Sequence, residues 1–141
     1  NEIMKSEFSY PWGITIRNPP LEAFMLYTAP ATNRTLLALP FEQGIQVLDL
    51  SHLVRIEADG CYTNLFLSNQ QVLCFAKTLK FFGETLTMHP QFVRIHRSHM
   101  INLLYLKTLW RKGQPQAELS DGTRLPVARR RFAEVLKSVE G

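Results

Sequence analysis

The pattern of apolar and polar positions predicts a chain made mostly of short β-strands. Residues 54–58 alternate apolar and polar side chains, as a half-buried strand does, and the Asp-Gly pair that follows predicts a turn. Four further runs with β texture are separated by turn residues: 36–40, 45–48, 62–67 and 72–75. We therefore expect a β-rich fold from about residue 35 onward.

Two segments have helical periodicity instead. The first follows Thr78, a suitable N-cap, and contains Gly83, which costs a helix roughly 1 kcal/mol relative to alanine. Its apolar stripe consists of Leu79, Phe82 and Leu86, and Pro90 marks its end. The second apolar stripe, near the end of the chain, consists of Phe132, Val135, Leu136 and Val139.

Strands return between the two helices. Val93 and Ile95 share one strand face, and Arg97 would break that face, so we place Arg97 at the strand end. The apolar run over 103–110 predicts another strand.

The Ser-Asp-Gly segment at 120–122 predicts a hairpin. The length of its loop follows from which pairing keeps apolar and charged side chains on separate faces. A two-residue turn would mix apolar and charged side chains on both faces. A three-residue loop instead pairs Ala117 with Leu125 and Glu118 with Arg124. We expect the three-residue loop, with Gly122 in the left-handed conformation.

Residues 1–35 differ from the rest because they are proline-rich and have no long periodic stretch. We interpret them as an N-terminal arm or linker with a short amphipathic piece at 21–27, and assign residues 36–141 to one domain. Since the chain does not begin with Met, we expect it to be part of a longer protein.

The composition favours a globular, cytoplasmic domain. The chain is 45% hydrophobic and has no apolar run near the ~20 residues of a membrane-spanning helix. No signal-peptide core follows the N-terminus. The spacing of Cys61 and Cys74 fits no zinc or redox motif, so we expect free thiols in a reducing compartment, with a disulfide or a redox switch as the alternative.

Charge is divided unevenly along the chain. Residues 1–70 carry 4 basic and 7 acidic side chains, whereas residues 71–141 carry 12 basic and 5 acidic ones, a net charge of −3 against +7. A basic second half favours contact with a polyanion, and a solvated basic surface is the alternative.

Constellations typical of enzymes are missing: the sequence has no phosphate-binding glycine loop and no G-x-S-x-G elbow. His96 and His99 would suit a metal on a helix, but the strand pattern separates them. We therefore expect no enzyme, no metal and no cofactor.

Arginines concentrate instead at the start of the last helix. Arg129, Arg130 and Arg131 oppose the helix macrodipole there, which costs roughly 0.3–1 kcal/mol each when exposed. A broken local rule of this kind tends to mark function, here binding of phosphates or a base edge; an ordinary surface helix is the alternative. The polar run 94–99 is a second concentration of hydrogen-bond donors.

With these blocks in view, the chain resembles the LytTR family of bacterial DNA-binding domains. The most specific block is Arg-Ile-His-Arg-Ser-x-x-x-Asn at 94–102. The matching blocks, in order, are 56–63, 77–80, 92–102, 119–127 and 129–130. The resemblance implies a mostly β fold of short antiparallel sheets in an elongated arrangement, with small connecting helices and a C-terminal helix.

The resemblance also implies sequence-specific binding of double-stranded DNA in transcription regulation, as in response regulators of two-component systems. Loops and strand ends would enter successive major grooves, and two copies would bind a repeated site. An upstream receiver or sensor domain is usual in the family, but only about 35 residues precede the match.

Contact residues carry over by position. By this resemblance, Arg97 stands at the position that contacts a base in the family, directly after its histidine. Arg129 stands at the family's basic position after the last strand. Tyr62 and Thr63 belong to a third contact region. The phosphate candidates are Lys80, His99 and Arg130. Ser98 and Asn102 would hold the fold through hydrogen bonds. Ala128 departs from the serine that is common before the arginines, which leaves the helix start without a cap.

Two rival classes remain. A protein-interaction or ligand-sensing β domain would not bind duplex DNA in a salt-sensitive way. A single-stranded RNA binder would need exposed aromatic side chains on a sheet face, for which Phe66, Phe75 and Phe92 are the candidates.

Overall fold

The computed structural model describes residues 7–9, 15–17, 25–29, 34–41 and 44–140. These residues form thirteen strands and two α-helices, joined in part by short 3-10 helices. The strands are β1 Glu7–Ser9, β2 Thr15–Arg17, β3 Met25–Ala29, β4 Arg34–Phe41, β5 Gly44–Asp49, β6 Leu53–Asp59, β7 Tyr62–Leu67, β8 Val72–Phe75, β9 Phe92–His96, β10 His99–Asn102, β11 Leu106–Trp110, β12 Gln116–Leu119 and β13 Arg124–Pro126. The α-helices are α1 Leu79–Leu86 and α2 Arg129–Glu140.

The strands form four antiparallel sheets. The largest has the order β8-β7-β6-β10-β9, so β6 lies at its centre although β10 follows it by some 40 residues. The three smaller sheets have the orders β1-β2, β3-β4-β5 and β11-β12-β13. The predicted fold class, mostly β with short antiparallel sheets and a C-terminal helix, is confirmed.

The five-stranded sheet contributes to two hydrophobic cores. The first core joins it to α1 and to β4 and β5, with Ile56, Phe82 and Leu39 fully buried in it. The second core joins it to the β11-β12-β13 sheet and α2, with Ile95 and Val135 fully buried. The two cores lie on opposite faces of the sheet, and the second one covers only its β6, β9 and β10 strands.

Most strand and helix predictions are confirmed. The strands at 62–67 and 72–75 have the predicted bounds, and Thr78 caps α1 by accepting the N–H of Phe81. In the 120–122 hairpin, Ala117 pairs with Leu125 and Glu118 with Arg124, so the three-residue loop is confirmed. Gly122 has φ 92°, as that loop requires.

The prediction of one strand over 103–110 is wrong at its start. Leu103–Tyr105 forms a 3-10 helix, and the strand begins at Leu106. The cause is Asn102, which is fully buried, accepts the N–H of Leu104 with its side-chain oxygen and donates its amide to the carbonyl of Leu53. Asn102 therefore holds the fold, as the resemblance implied. The apolar stripe of α2 is also shorter than predicted, because Val139 is 49% exposed.

Residues 1–35 contain three of the described strands. β3 pairs with β4 over five residue pairs, from Met25 with Ala38 to Ala29 with Arg34. The amphipathic piece expected at 21–27 lies partly outside the described residues, and the division into an arm and a domain at residue 35 stays a prediction. No helix among the described residues is long and apolar enough to cross a membrane.

Candidate nucleic-acid interface

One end of the five-stranded sheet gathers most of the predicted contact segments. β6, β8 and β9 finish at this end and β7 and β10 begin there, because neighbouring strands are antiparallel. The N–H of Ala58 donates to the carbonyl of Ser98 over 2.9 Å and so joins two of the turns side by side. We call this the basic end of the sheet; it comprises residues 59–62, 77–80, 96–99 and 128–131. Four strand spacings make it about 19 Å wide.

Arg97 lies exposed at the turn between β9 and β10. Three hydrogen bonds that involve the side chains of Arg94 and His96 support this turn. Arg94 Nε donates to the carbonyl of His96 over 2.8 Å, and Arg94 Nη2 donates to the carbonyl of Arg97 over 2.7 Å. The N–H of Ser98 donates to His96 Nδ1 over 3.1 Å.

The last of these bonds fixes the protonation of His96. Because Nδ1 accepts a hydrogen bond, the neutral ring carries its proton on Nε2. Burial lowers the pKa of His96, and the charges of Arg97, Arg131 and Arg94 lower it further. His96 is therefore a neutral side chain with one N–H to donate.

The start of α2 adds three arginines beside this turn. A β-bulge in β9 leaves Ile95 without a partner in β10, and its carbonyl accepts the N–H of Ala128 over 2.8 Å. Arg129 and Arg130 are exposed, whereas Arg131 is half-buried and its Nε has no hydrogen-bond partner.

Electrostatic repulsion accompanies this gathering of arginines. The pKa of Arg94 is lowered, first by burial and then by the charges of Arg131 and Arg130. Like charges held together and at a helix N-terminus are unfavourable without a partner. A polyanion relieves this repulsion, which makes the cluster suited to phosphate.

Lys80 reaches the same region from α1. A groove of about 600 Å³ runs between α1 and α2 with β9 as its floor, and Lys80, Arg94 and Arg131 are among its lining residues. Glu84 and Glu134 also line it. The groove is mixed in charge, but its cations adjoin the basic end.

Of the predicted contact residues, Thr63 has a buried side chain and His99 a half-buried one. Thr63 is fully buried and its hydroxyl donates to the carbonyl of Lys77 over 2.6 Å, so in this conformation it joins β7 to the segment before α1 instead of facing solvent. The side chain of His99 is 13% exposed, with Nδ1 3.7 Å from Oε1 of Glu57. Burial lowers the pKa of His99 although Glu57 opposes the shift. Tyr62 is half-buried against the first core.

The sequence did not predict the hydrogen bonds of Arg94. Strand alternation placed Arg94 among the polar donors, but its guanidinium bonds the carbonyls of His96 and Arg97 because the backbone turns there. The separation of His96 and His99 was predicted wrongly for the same reason: the turn brings their ring centroids to 5.4 Å. Among the described residues, no cluster of three or more His, Cys, Asp or Glu side chains is placed to hold a metal ion.

The three aromatic side chains that were candidates for a stacking platform are engaged within the fold. Phe75 and Phe92 are buried in the first core, and the guanidinium of Arg55 covers the ring of Phe66 at 3.7 Å. Single-stranded nucleic acid is bound by exposed aromatic faces. The three candidates for that role are thus occupied by the fold.

The arrangement is that of an antiparallel β domain with cationic side chains gathered at one end of its main sheet, a class suited to polyanions. The family model described as the LytTr DNA-binding domain matches residues 43–140, and the chain belongs to this family.

Among solved structures, the chain is similar to the LytTr DNA-binding domain of a protein from Bacillus cereus described as a methyl-accepting/DNA response regulator. The two share 20% sequence identity at a TM-score of 0.59, over 74% of this chain and 95% of the other. This likeness shows the fold. No curated protein sequence gives a significant match.

Proposed function

We propose that this protein binds double-stranded DNA sequence-specifically in transcription regulation, and that the basic end of the sheet is the surface that meets DNA. Membership of a family of DNA-binding domains supports the general function. The observation that carries the assignment of the surface is the convergence of Arg97, Arg129, Arg130 and Lys80 at or beside that one end.

The width of the basic end suits one major groove with its flanking phosphates. The major groove of B-DNA is about 12 Å wide, whereas the basic end is about 19 Å wide by strand spacing. The turn that carries Arg97 joins the edge strand β9 to β10 and so lies at one side of this width. We assign Arg97 to a base edge because it is exposed on a braced turn, and Arg130 and Lys80 to phosphates.

The contact set is narrower than the sequence suggested. Arg129 sits at the first position of α2, exposed, and serves as a second groove contact. Thr63 is left out because its side chain is fully buried, and His99 because its side chain is half-buried beside Glu57. Tyr62 stays in the set because it directly follows Cys61, which is exposed in the turn between β6 and β7.

The wider setting follows from the same proposal. Two copies bind a repeated site, each reading one groove, in the bacterial cytoplasm. We further propose that a sensor or receiver domain controls their access to DNA. No enzymatic activity and no cofactor are needed for this function.

Selection of bound duplexes from a random DNA pool tests the proposal. An enriched motif is expected, and the number of half-sites in it gives the number of copies bound. A pool that returns no motif, together with binding that salt does not weaken, would leave the rival of a protein-interaction or ligand-sensing domain.

A further inference from the structure

The turn that presents Arg97 is a hairpin connection of an unfavoured kind. His96 pairs with His99, so Arg97 and Ser98 form a two-residue loop. Such loops favour turn types with positive φ at one or both central residues, because those types match the twist of the strands. In the described part of the chain, Gln70 is the one non-glycine residue with positive φ, so neither Arg97 nor Ser98 adopts such a turn.

Hydrogen bonds from a side chain of β9 support this unfavoured loop. Arg94 donates to the carbonyls of both His96 and Arg97, the residue before the loop and the first residue within it. The guanidinium is planar and holds its N–H groups at fixed positions, so it can bond both carbonyls at once; a lysine ammonium has no such fixed arrangement. These bonds also occupy two N–H positions of Arg94 that a free arginine would offer to a phosphate.

We propose that Arg94 is a positioning residue: it holds the loop in the conformation that aims Arg97 at a base. The inference rests on the proposed function, because it assigns Arg94 to the DNA contact that Arg97 makes. It differs from reading the 94–99 run as a row of equivalent DNA donors. Arg94 acts through Arg97, whereas Arg97 touches DNA.

A double-mutant cycle on the full 141-residue chain tests this assignment. The probes are the duplex enriched by the wild-type protein and a scrambled duplex of the same composition. We compare the wild type, Arg94→Gln, Arg97→Ala and the double variant. The quantity is the ratio of the two affinities, since a residue acting only through Arg97 has no effect on the ratio once Arg97 is absent.

Arg94→Gln is expected to lower the ratio roughly ten-fold, within the range of one lost base contact. In the Arg97→Ala background the same change should leave the ratio unaltered. Two results would overturn the inference: an equal loss of affinity for both duplexes, which marks a phosphate contact, or an undiminished effect on the ratio without Arg97.

Two further variants guard against loss of structure. Arg94→Lys keeps the charge but cannot bridge both carbonyls, so affinity for the scrambled duplex should stay near the wild type while the ratio falls. Full rescue of the ratio by lysine would overturn the inference. Arg124→Gln removes an arginine that lies over Trp110 on another sheet, and both affinities should stay close to the wild type.

Hydrogen exchange without DNA adds an independent measurement. The amide of Ser98 is bonded within the loop, so Arg94→Gln should speed its exchange. Unchanged exchange in a folded variant would speak against bracing. If the wild type itself shows no preference between the duplexes, the proposed function fails; if its preference survives Arg94→Gln, the inference fails alone.

Discussion

Arg97 and Lys80 belong to the same surface but are held in different ways. Arg97 sits on a short loop braced by side-chain hydrogen bonds, which suits a geometry-dependent base contact. Lys80 is exposed near the start of α1 and carries a flexible ammonium group, which suits a phosphate.

Substitution of each residue should separate specificity from affinity. Arg97→Ala is expected to cost discrimination between the cognate and scrambled duplexes by roughly 1–3 kcal/mol, as the loss of a bidentate base contact does. Lys80→Ala should weaken binding to both duplexes about equally. Binding titrations with both duplexes measure the two effects, and the reverse pattern would show that the roles are exchanged.

The two histidines of the turn make the stability of the fold sensitive to acid. The pKa of His99 is lowered from the ordinary value of 6.5, mainly by burial, and that of His96 is lowered likewise. The unfolded chain therefore binds protons that the folded chain resists, and stability falls as pH drops below about 6.5. The fall ends once pH passes below the lowered pKa values.

Thermal unfolding between pH 7.5 and 5.0 measures this effect. The melting temperature of the wild type should decrease with acidification, and His99→Gln should make the decrease smaller. His52→Gln, a change at an exposed histidine, is the matched control and should keep the wild-type profile. A wild-type melting temperature that rises with acidification would contradict the assignment of these shifts.

At the scale of elements, the start of α2 combines poor helix chemistry with a dense positive charge. Ala128 stands at the N-cap position and offers no side-chain acceptor, and Arg129 and Arg130 oppose the macrodipole. Neither exposed arginine stabilises the start of the helix. Binding of DNA phosphates would offset this unfavourable charge at the helix N-terminus.

Removing the two arginines should therefore separate folding from binding. The double change Arg129→Ala and Arg130→Ala should leave the melting temperature unchanged or slightly higher, because unfavourable dipole contacts of about 0.3–1 kcal/mol each are lost. The same variant should bind DNA at least ten-fold more weakly, as loss of a base contact and a phosphate contact requires. A variant that melts much lower yet still binds normally would refute the assignment.

The missing cap can be tested on its own. Ala128→Ser supplies a hydroxyl that can accept an N–H of the first turn, and should raise the free energy of unfolding by about 0.5–2 kcal/mol. Denaturant unfolding measures the change. An unchanged midpoint would mean that the bond from Ala128 N–H to the carbonyl of Ile95 already fixes the helix start.

Helix α1 offers a further test of element stability at Gly83. A methyl group at this position would lie 3.7 Å from Arg94 Nη1 and from the terminal methyl of Met100, which is ordinary van der Waals contact. Gly83→Ala should therefore stabilise the protein by about 0.5–1 kcal/mol through the helix backbone. Destabilisation would indicate that Arg94 needs the open space beside the glycine.

Local patterns predicted the hairpins and helices of this fold but not its irregular joints. The pairing of Ala117 with Leu125 follows from face separation alone, and Thr78 follows from capping chemistry. The 3-10 helix at Leu103–Tyr105 depends on Asn102, whose buried amide bonds a strand 49 residues away. Such a contact has no periodic signature in the sequence.

The same distinction holds for the candidate site. The basic residues and their family positions were visible in the sequence, but the bracing role of Arg94 and the burial of Thr63 were not. Both depend on how strand ends meet across the sheet, which periodicity does not encode. The charge of a site is thus easier to predict than the direction of its side chains.

At the scale of the whole molecule, the packing of the five-stranded sheet is consistent with the strand ends as the proposed binding surface. One face of the five-stranded sheet packs against α1, β4 and β5, and on the other face β6, β9 and β10 pack against α2 and the β11-β12-β13 sheet. Both helices pack an apolar side against this sheet. In the proposed function, DNA meets turns and the start of α2, which the sheet and its hydrogen bonds hold in place.

Salt dependence tests this surface as a unit. The second half of the chain carries a net charge of +7, and neutralisation of about six phosphates predicts a slope of log K against log salt of roughly −5. Lys80→Ala should make the slope less steep by about 1, since each phosphate contributes about 0.9. Arg124→Gln, whose side chain pairs with Glu118 and Trp110 away from the basic end, should keep the wild-type slope. Affinity measured in 50–200 mM salt decides the matter: a flat response would contradict DNA binding, and a slope changed by Arg124→Gln but not by Lys80→Ala would place DNA on another surface of the molecule.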